Sequence, residues 1–275
     1  MDVGMRAVLG TFDGVHIGHR ALFYAAKRAG ERDFLPVCAV VITRGSSRIC
    51  SDAERDRRLL AAGADRIITF SLDEVRGLSC DEFGSLLRVL GVRACVCGEN
   101  FTFGYGRAGN AQTLSSLFPT ETVQSVMYDS LPVSSTRIRE SVESGDVTRA
   151  ARLLGTPFSY EGKVRHGRAI GHTMGFPTAN ISIDEKTVCP ADGVYTARVK
   201  TGRRAYPALV NVGSRPTVGG HERRIECYLD GFSGDLYGKS VKIYFLRYLR
   251  AEKHFSSTEE LKRQIESDMN SLKCN

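Results

Sequence analysis

The chain predicts two architectures in series: an α/β unit built on a parallel sheet, then a small antiparallel β-barrel closed by a terminal helix. Three observations carry that prediction. Up to about residue 154, short apolar runs alternate with helical stretches, the pattern of a parallel sheet with helices on both faces. Gly155-Thr156-Pro157 then breaks the last helical stretch. From Phe158 to about Leu249, short strands follow one another through Gly- and Pro-rich turns, as in a closed barrel.

In chain order, the expected strands of the first part are Arg6 to Leu9, Leu35 to Ile42, Arg66 to Phe70, Ala94 to Cys97 and Thr122 to Tyr128. Capping boxes at Ser51-Asp52-Ala53-Glu54 and Ser79-Cys80-Asp81-Glu82 open two of the helices between them. Two short helices, Ser135 to Glu143 and Val147 to Leu154, precede the break. The expected domains are therefore 1–154 and 155–275. In the second, strands are expected at Tyr195 to Val199, Tyr206 to Val212, Ile225 to Leu229 and Val241 to Leu246, with a polar helix from Thr258 to about Asn270.

Composition narrows the function classes. The 275 residues are 42% hydrophobic and 25% charged, ordinary for a globular protein of two domains. No apolar stretch reaches the roughly 20 residues that span a bilayer, and Asp2 with Arg6 interrupts any signal-peptide pattern, so the expectation is a cytoplasmic protein with no membrane partner. The net charge of +7 is spread along the chain, which fits phosphorylated small molecules and gives no nucleic-acid patch. The eight cysteines include no Cys-x-x-Cys pair, arguing against structural zinc and for reduced thiols. The assembly expected is a monomer or weak homo-oligomer.

The residues from Gly10 to His19 read Gly-Thr-Phe-Asp-Gly-Val-His-Ile-Gly-His and follow the first strand. Gly10, Gly14 and Gly18 allow close backbone approach to a ligand. His16 and His19 are three apart where a helix begins, so both imidazoles face one side of its first turn. A helix N-terminus already favours phosphate, and two histidine donors there suit charge building on a transferring phosphorus. After the fourth strand, Asn100 and the aromatic Phe101, Phe103 and Tyr105 offer hydrogen bonds and stacking faces. Ser134-Ser135-Thr136-Arg137-Ile138-Arg139 reads as a capped helix start that brings a guanidinium to a phosphate-favouring end.

The string from Gly10 to His19 resembles the nucleotidyltransferase signature of bacterial bifunctional riboflavin kinase/FAD synthetases. That resemblance implies a Rossmann-like first domain transferring an adenylyl group: the phosphate of FMN attacks the α-phosphorus of ATP, pyrophosphate leaves, and FAD results. It implies nucleotide binding by Gly10, Phe12, Asp13, Gly18, Asn100, Ser135 and Thr136, with His16, His19 and Arg137 acting on the phosphates. One segment departs from the pattern. Where the family carries a His-Pro turn at the flavin end of this site, the chain reads Thr43-Arg44-Gly45-Ser46-Ser47.

Gly167-Arg168-Ala169-Ile170-Gly171-His172-Thr173-Met174-Gly175-Phe176-Pro177-Thr178-Ala179-Asn180 is the richest string of the second domain. Its glycines permit approach to a polyphosphate, Pro177 stiffens the turn, and Thr178 with Asn180 presents oxygens of the kind Mg²⁺ prefers. Glu226 shares a strand face with Tyr228, opposite Ile225, Cys227 and Leu229. Phe-Pro-Thr-Ala-Asn resembles the riboflavin kinase signature of the same family. This implies that Gly171, Gly175, Pro177, Thr178 and Asn180 hold Mg²⁺-ATP, with Thr178 and Asn180 as metal ligands. It makes Glu226 the base for the riboflavin 5′-hydroxyl, and it places Arg250 and Glu252 near the flavin pocket. Asn211-Val212-Gly213-Ser214-Arg215-Pro216-Thr217 extends the resemblance. The expected function is conversion of riboflavin to FMN and of FMN to FAD. Alternatives are a riboflavin kinase with an impaired or repurposed first domain, and a flavin or nucleotide sensor without catalysis.

Overall fold

The computed structural model describes residues 4–45, 47–165, 178–217, 220–253 and 255–272. The chain divides into two compact units, Met1–Ser135 and Thr136–Asn275. The first is built on strands β1 (Met5–Gly10), β2 (Val37–Thr43), β3 (Arg66–Ser71), β4 (Val92–Gly98) and β5 (Thr120–Val123). All pair in parallel, in the order β3-β2-β1-β4-β5.

Such a sheet is covered on both faces, which is why β2 reads as an unbroken apolar run rather than an alternating one. On one face Val8, Ala39, Val41 and Val96 pack with Leu22, Phe23 and Ala26 of α1 (Ile17–Asp33) and Leu59 of α2 (Asp52–Ala62). On the other, Ala7, Leu9, Cys38, Val40, Cys95 and Cys97 meet Phe83 and Leu87 of α4 (Cys80–Val89) and Leu114 of α5 (Ala111–Leu117). A single turn, α3 (Leu72–Val75), lies between β3 and α4 and carries a capping box of its own, Ser71 with Glu74. The box expected at Ser79 and Glu82 is formed. The expected strand from Thr122 to Tyr128 ends at Val123, and Met127–Tyr128 pairs instead with Leu131–Pro132.

In the second unit, α6 (Ser135–Glu143) and α7 (Val147–Leu154) lead into a closed six-stranded barrel. Its strands are β6 (Ser159–Arg165), β7 (Thr178–Ile181), β8 (Gly193–Thr201), β9 (Arg204–Thr217), β10 (Gly220–Leu229) and β11 (Ser240–Arg250). They close in the order β6-β7-β10-β9-β8-β11 with every pairing antiparallel. Tyr160, Tyr195, Ala197, Val210, Ile225, Cys227, Ile243 and Phe245 are all buried. The division after Ser135 counts with the barrel both α6 and α7. Ala150, Leu153 and Leu154 of α7 are buried, and Thr148 donates to the Leu246 carbonyl of β11 at 3.5 Å.

The last helix, α8 (Thr258–Asn270), is tied to the end of β11 by an ion pair. Arg250 donates Nη2 to Asp268 Oδ2 at 2.7 Å and Nε to the same oxygen at 3.1 Å, and Asp268 is buried. Arg250 therefore serves to fasten this helix. Arg250→Ala strands a buried carboxylate and is expected to destabilise the second unit by about 3 kcal/mol, read as a lower urea midpoint.

Candidate functional sites

The turn after β1 lies at the carboxyl edge of the sheet, where ligands bind in open α/β folds. Its backbone is strained: Phe12 and Val15, neither of them glycine, both have φ of 49°. Phe12 is fully buried, its ring edge-on to His19 at 5.2 Å and tilted against Phe23 at 5.3 Å. Its side chain thus shapes the turn from inside. A Cβ on Gly10 would approach that ring to 3.0 Å, so the glycine admits Phe12. Asp13 accepts the Ile49 amide at 2.8 Å through its carboxylate and the Ser135 hydroxyl at 3.1 Å through its carbonyl. Arg58 donates to the Gly14 carbonyl at 2.9 Å and to Glu54 at 2.8 Å.

His16 caps α1. Its Nδ1 accepts the His19 amide at 3.2 Å, which places the proton of a neutral ring on Nε2. The two imidazoles stack with centroids 3.5 Å apart and planes 16° from parallel. A Cβ on Gly18 would crowd the His16 ring at 3.2 Å. Burial lowers the His16 pKa to about 4, and burial, followed by the neighbouring His16, lowers that of His19. Both rings are therefore neutral at pH 7 in the free protein. His19 Nδ1 is buried with no partner among the described residues.

These shifts have a consequence for folding. Between about pH 6.5 and 4 the unfolded chain binds a proton at residue 16 that the folded chain excludes, so stability rises with pH across that window. Acidification from pH 7 to 4 is expected to destabilise the first unit by roughly 3 kcal/mol through this group. His16→Asn keeps a capping side chain and should flatten that part of the profile in urea titrations.

Asn100 lies just beyond β4 and donates to Ser125 Oγ at 3.3 Å, while Glu99 accepts the Ser125 amide at 3.0 Å. Phe101 stacks on Phe103 at 5.8 Å, and Phe103 is core. Tyr105 alone of the three aromatics stands exposed. Thr136 and Arg137 open α6 and are counted with the second unit; Thr136 is exposed and Arg137 half-buried. After β2, Thr43 donates to the Phe70 carbonyl at 3.2 Å, and beyond the segment Thr43–Ser47 Arg48 pairs with Asp52 at 2.9 Å, while Ser46 lies outside the described residues.

In the barrel, Thr178 and Asn180 sit on a strand, β7, rather than on a turn. Strand alternation turns Ala179 and Ile181 into the core and leaves Thr178 and Asn180 on the outer face. Asn180 lies directly opposite Glu226 of β10, and Glu226 directly opposite Asn211 of β9. Opposed residues on one face have Cβ atoms about 5 Å apart. Three adjacent strands thus bring an amide, a carboxylate and a second amide into one row. Arg224, two residues before Glu226 on the same face, is 3.2 Å from its carboxylate. Gly171, Gly175 and Pro177 lie outside the described residues.

Asn211 enters the sequence analysis only through the family string, and the strand Arg204–Thr217 puts it on the face shared with Gly213. Its Nδ2 donates to Glu252 Oε1 at 2.7 Å, and its Oδ1 is buried without a partner among the described residues. Among the described residues, no group of three or more His, Cys, Asp or Glu side chains is gathered to hold a metal.

A phosphate-ready turn at the sheet edge and a carboxylate set among amides on a barrel define a two-unit transferase of phosphoryl and nucleotidyl groups. The family comparisons specify which. Residues 2–137 match the FAD synthetase family model and residues 154–274 the riboflavin kinase model, with α6 and α7 falling largely between the two matches. A bifunctional riboflavin kinase/FMN adenylyltransferase of Pseudomonas fluorescens is 34% identical over 97% of this chain and 91% of its own length. The Escherichia coli K12 protein of the same name is 32% identical over 96% of this chain and 90% of its own. The chain belongs to the bifunctional riboflavin kinase/FMN adenylyltransferase family of flavin cofactor biosynthesis, with one unit of each kind.

A solved structure described as a macrolide-efflux protein from Streptococcus pneumoniae superposes with a TM-score of 0.92, at 33% identity over 99% of this chain and 95% of that one. Among the described residues no helix is long and apolar enough to cross a membrane.

Proposed function

We propose that the barrel unit phosphorylates riboflavin on its outer face and that the α/β unit adenylylates the resulting FMN to FAD. The observation that carries the first assignment is the row Asn180, Glu226, Asn211 on three adjacent strands. Glu226 accepts the 5′-hydroxyl proton as that oxygen attacks the γ-phosphorus of ATP, and ADP leaves. Thr178 and Asn180 are the residues that would hold Mg²⁺; the ion, when bound, offsets charge on the phosphates. Gly171, Gly175 and Pro177 complete the ATP side in this reading.

The Gly10 and Gly18 backbone, the Asp13-braced turn, Asn100 and Ser135 of the α/β unit bind and orient the nucleotide, and Thr136 and Arg137 at the start of α6 are assigned the same role. His16 and His19 donate to its phosphates. Strain held at Phe12 and Val15 supports a functional turn, since such backbone persists where surroundings over-determine it. The protein is read as cytoplasmic, a monomer or weak homo-oligomer, with no nucleic-acid partner. The test is the full chain incubated with riboflavin, ATP and Mg²⁺, products resolved by chromatography. FMN followed by FAD is expected. FMN alone would favour the kinase-only reading that the altered segment at Thr43–Ser47 raises, and no product would leave only a sensor.

A further inference from the structure

We propose that Glu252 is a positioning residue of the kinase site: it locks the Asn211 amide so that Oδ1 accepts a hydroxyl of the flavin's polyol chain, beside the hydroxyl that Glu226 deprotonates. This rests on the assignment of Glu226 as the base. A carboxylate can only accept hydrogen bonds, so the 2.7 Å contact from Asn211 Nδ2 to Glu252 Oε1 admits one amide orientation. Oδ1 is then turned away from Glu252, on the residue directly opposite Glu226. It is buried and has no partner among the described residues. A buried acceptor left unpaired is costly, and a polyol substrate carries donors in abundance. Because Glu226 and Asn211 are cross-strand neighbours, the two side chains are spaced to meet different hydroxyls of one ribityl chain.

A second observation shows that the carboxylate is seated rather than adrift. Glu252 lies over Gly213, two residues along the same strand face, and any Cβ there would overlap both carboxylate oxygens. Gly213 is not in the left-handed region, so its backbone accepts alanine. Its lack of a side chain makes room for Glu252.

The experiment is steady-state riboflavin phosphorylation by the full chain, with unfolding midpoints as a check on integrity. Glu252→Gln lets the amide adopt either orientation and is expected to raise the riboflavin KM about fivefold with kcat changed less than about twofold. Gly213→Ala displaces the carboxylate and should give the same split. The double variant Asn211→Asp with Glu252→Gln restores an acceptor facing the substrate, because one aspartate oxygen takes the glutamine N–H and the other remains free. Its KM should return toward wild type. An unchanged KM in a folded Glu252→Gln protein overturns the proposal, and so does a folded double variant no better than the single. Failure of the Glu226 assignment shows elsewhere, as wild-type kcat in Glu226→Gln.

Discussion

Glu226→Gln is expected to lower riboflavin phosphorylation about 10³-fold while adenylylation of supplied FMN continues at the wild-type rate. The magnitude follows from general base catalysis, which contributes about 10²–10⁴. Glutamine keeps the size and hydrogen-bonding reach of glutamate but cannot take the hydroxyl proton. The barrel should tolerate the change. Glu226 is on the outer face, whereas its strand neighbours Ile225 and Cys227 are fully buried and hold β10 in the wall. Losing the ion pair with Arg224 removes a half-exposed contact of at most about 1 kcal/mol. The measurement is separate quantification of FMN from riboflavin and of FAD from FMN. Wild-type FMN formation by the variant would remove Glu226 from the mechanism.

How much of this was legible in the sequence depends on how local each signal is. The parallel sheet was readable because buried parallel strands are apolar throughout, as in Val37 to Ile42, and because caps such as Ser79 with Glu82 act within four residues. Ser51 likewise accepts the Glu54 amide at 3.2 Å, but the Glu54 carboxylate meets Arg58 at 2.8 Å. A pairing with the next turn thus adds to the cap. Strand β6 escaped notice as a separate element because Ser159 to Arg165 mixes Glu161, Gly162 and Lys163 into its run. Only closure of the barrel, with β11 on one side and β7 on the other, gives those residues their pairing.

The same distinction governs the sites. His16 and His19 were placed on one face by spacing alone, yet their stacking and neutrality come from burial by Phe12 and the turn, which no local pattern encodes. Thr178 and Asn180 are legible in the sequence as an oxygen pair two residues apart, beyond the turn at Pro177. Their alternation on β7 is what puts them on one face. Asn180, Glu226 and Asn211 are far apart in sequence, and strand register alone makes them neighbours. Glu252 could be named from the family string but its target could not, because the Asn211 contact spans the interval from β9 to the segment beyond β11.

His19→Ala is expected to lower FAD formation from FMN and ATP about 10²–10³-fold, the range seen when one donor to a developing oxyanion is removed, with riboflavin phosphorylation unaffected. The free protein keeps both imidazoles neutral by burial, so they act first as N–H donors, and positive charge would arise only as phosphate arrives to favour it. His16 is limited further: its Nδ1 is committed to the His19 amide, leaving Nε2–H as the one group it can offer a phosphate. His16→Asn therefore separates capping from chemistry. It should retain the stability of α1 at pH 7 and still lose adenylylation. His19→Ala removes the ring stacked on His16 and should unsettle that donor as well, so the double variant is expected to fall little below His19→Ala alone. Product assays at saturating FMN and ATP measure all three. Wild-type FAD formation in a folded His19→Ala protein would show that the stacked pair serves only to build the turn.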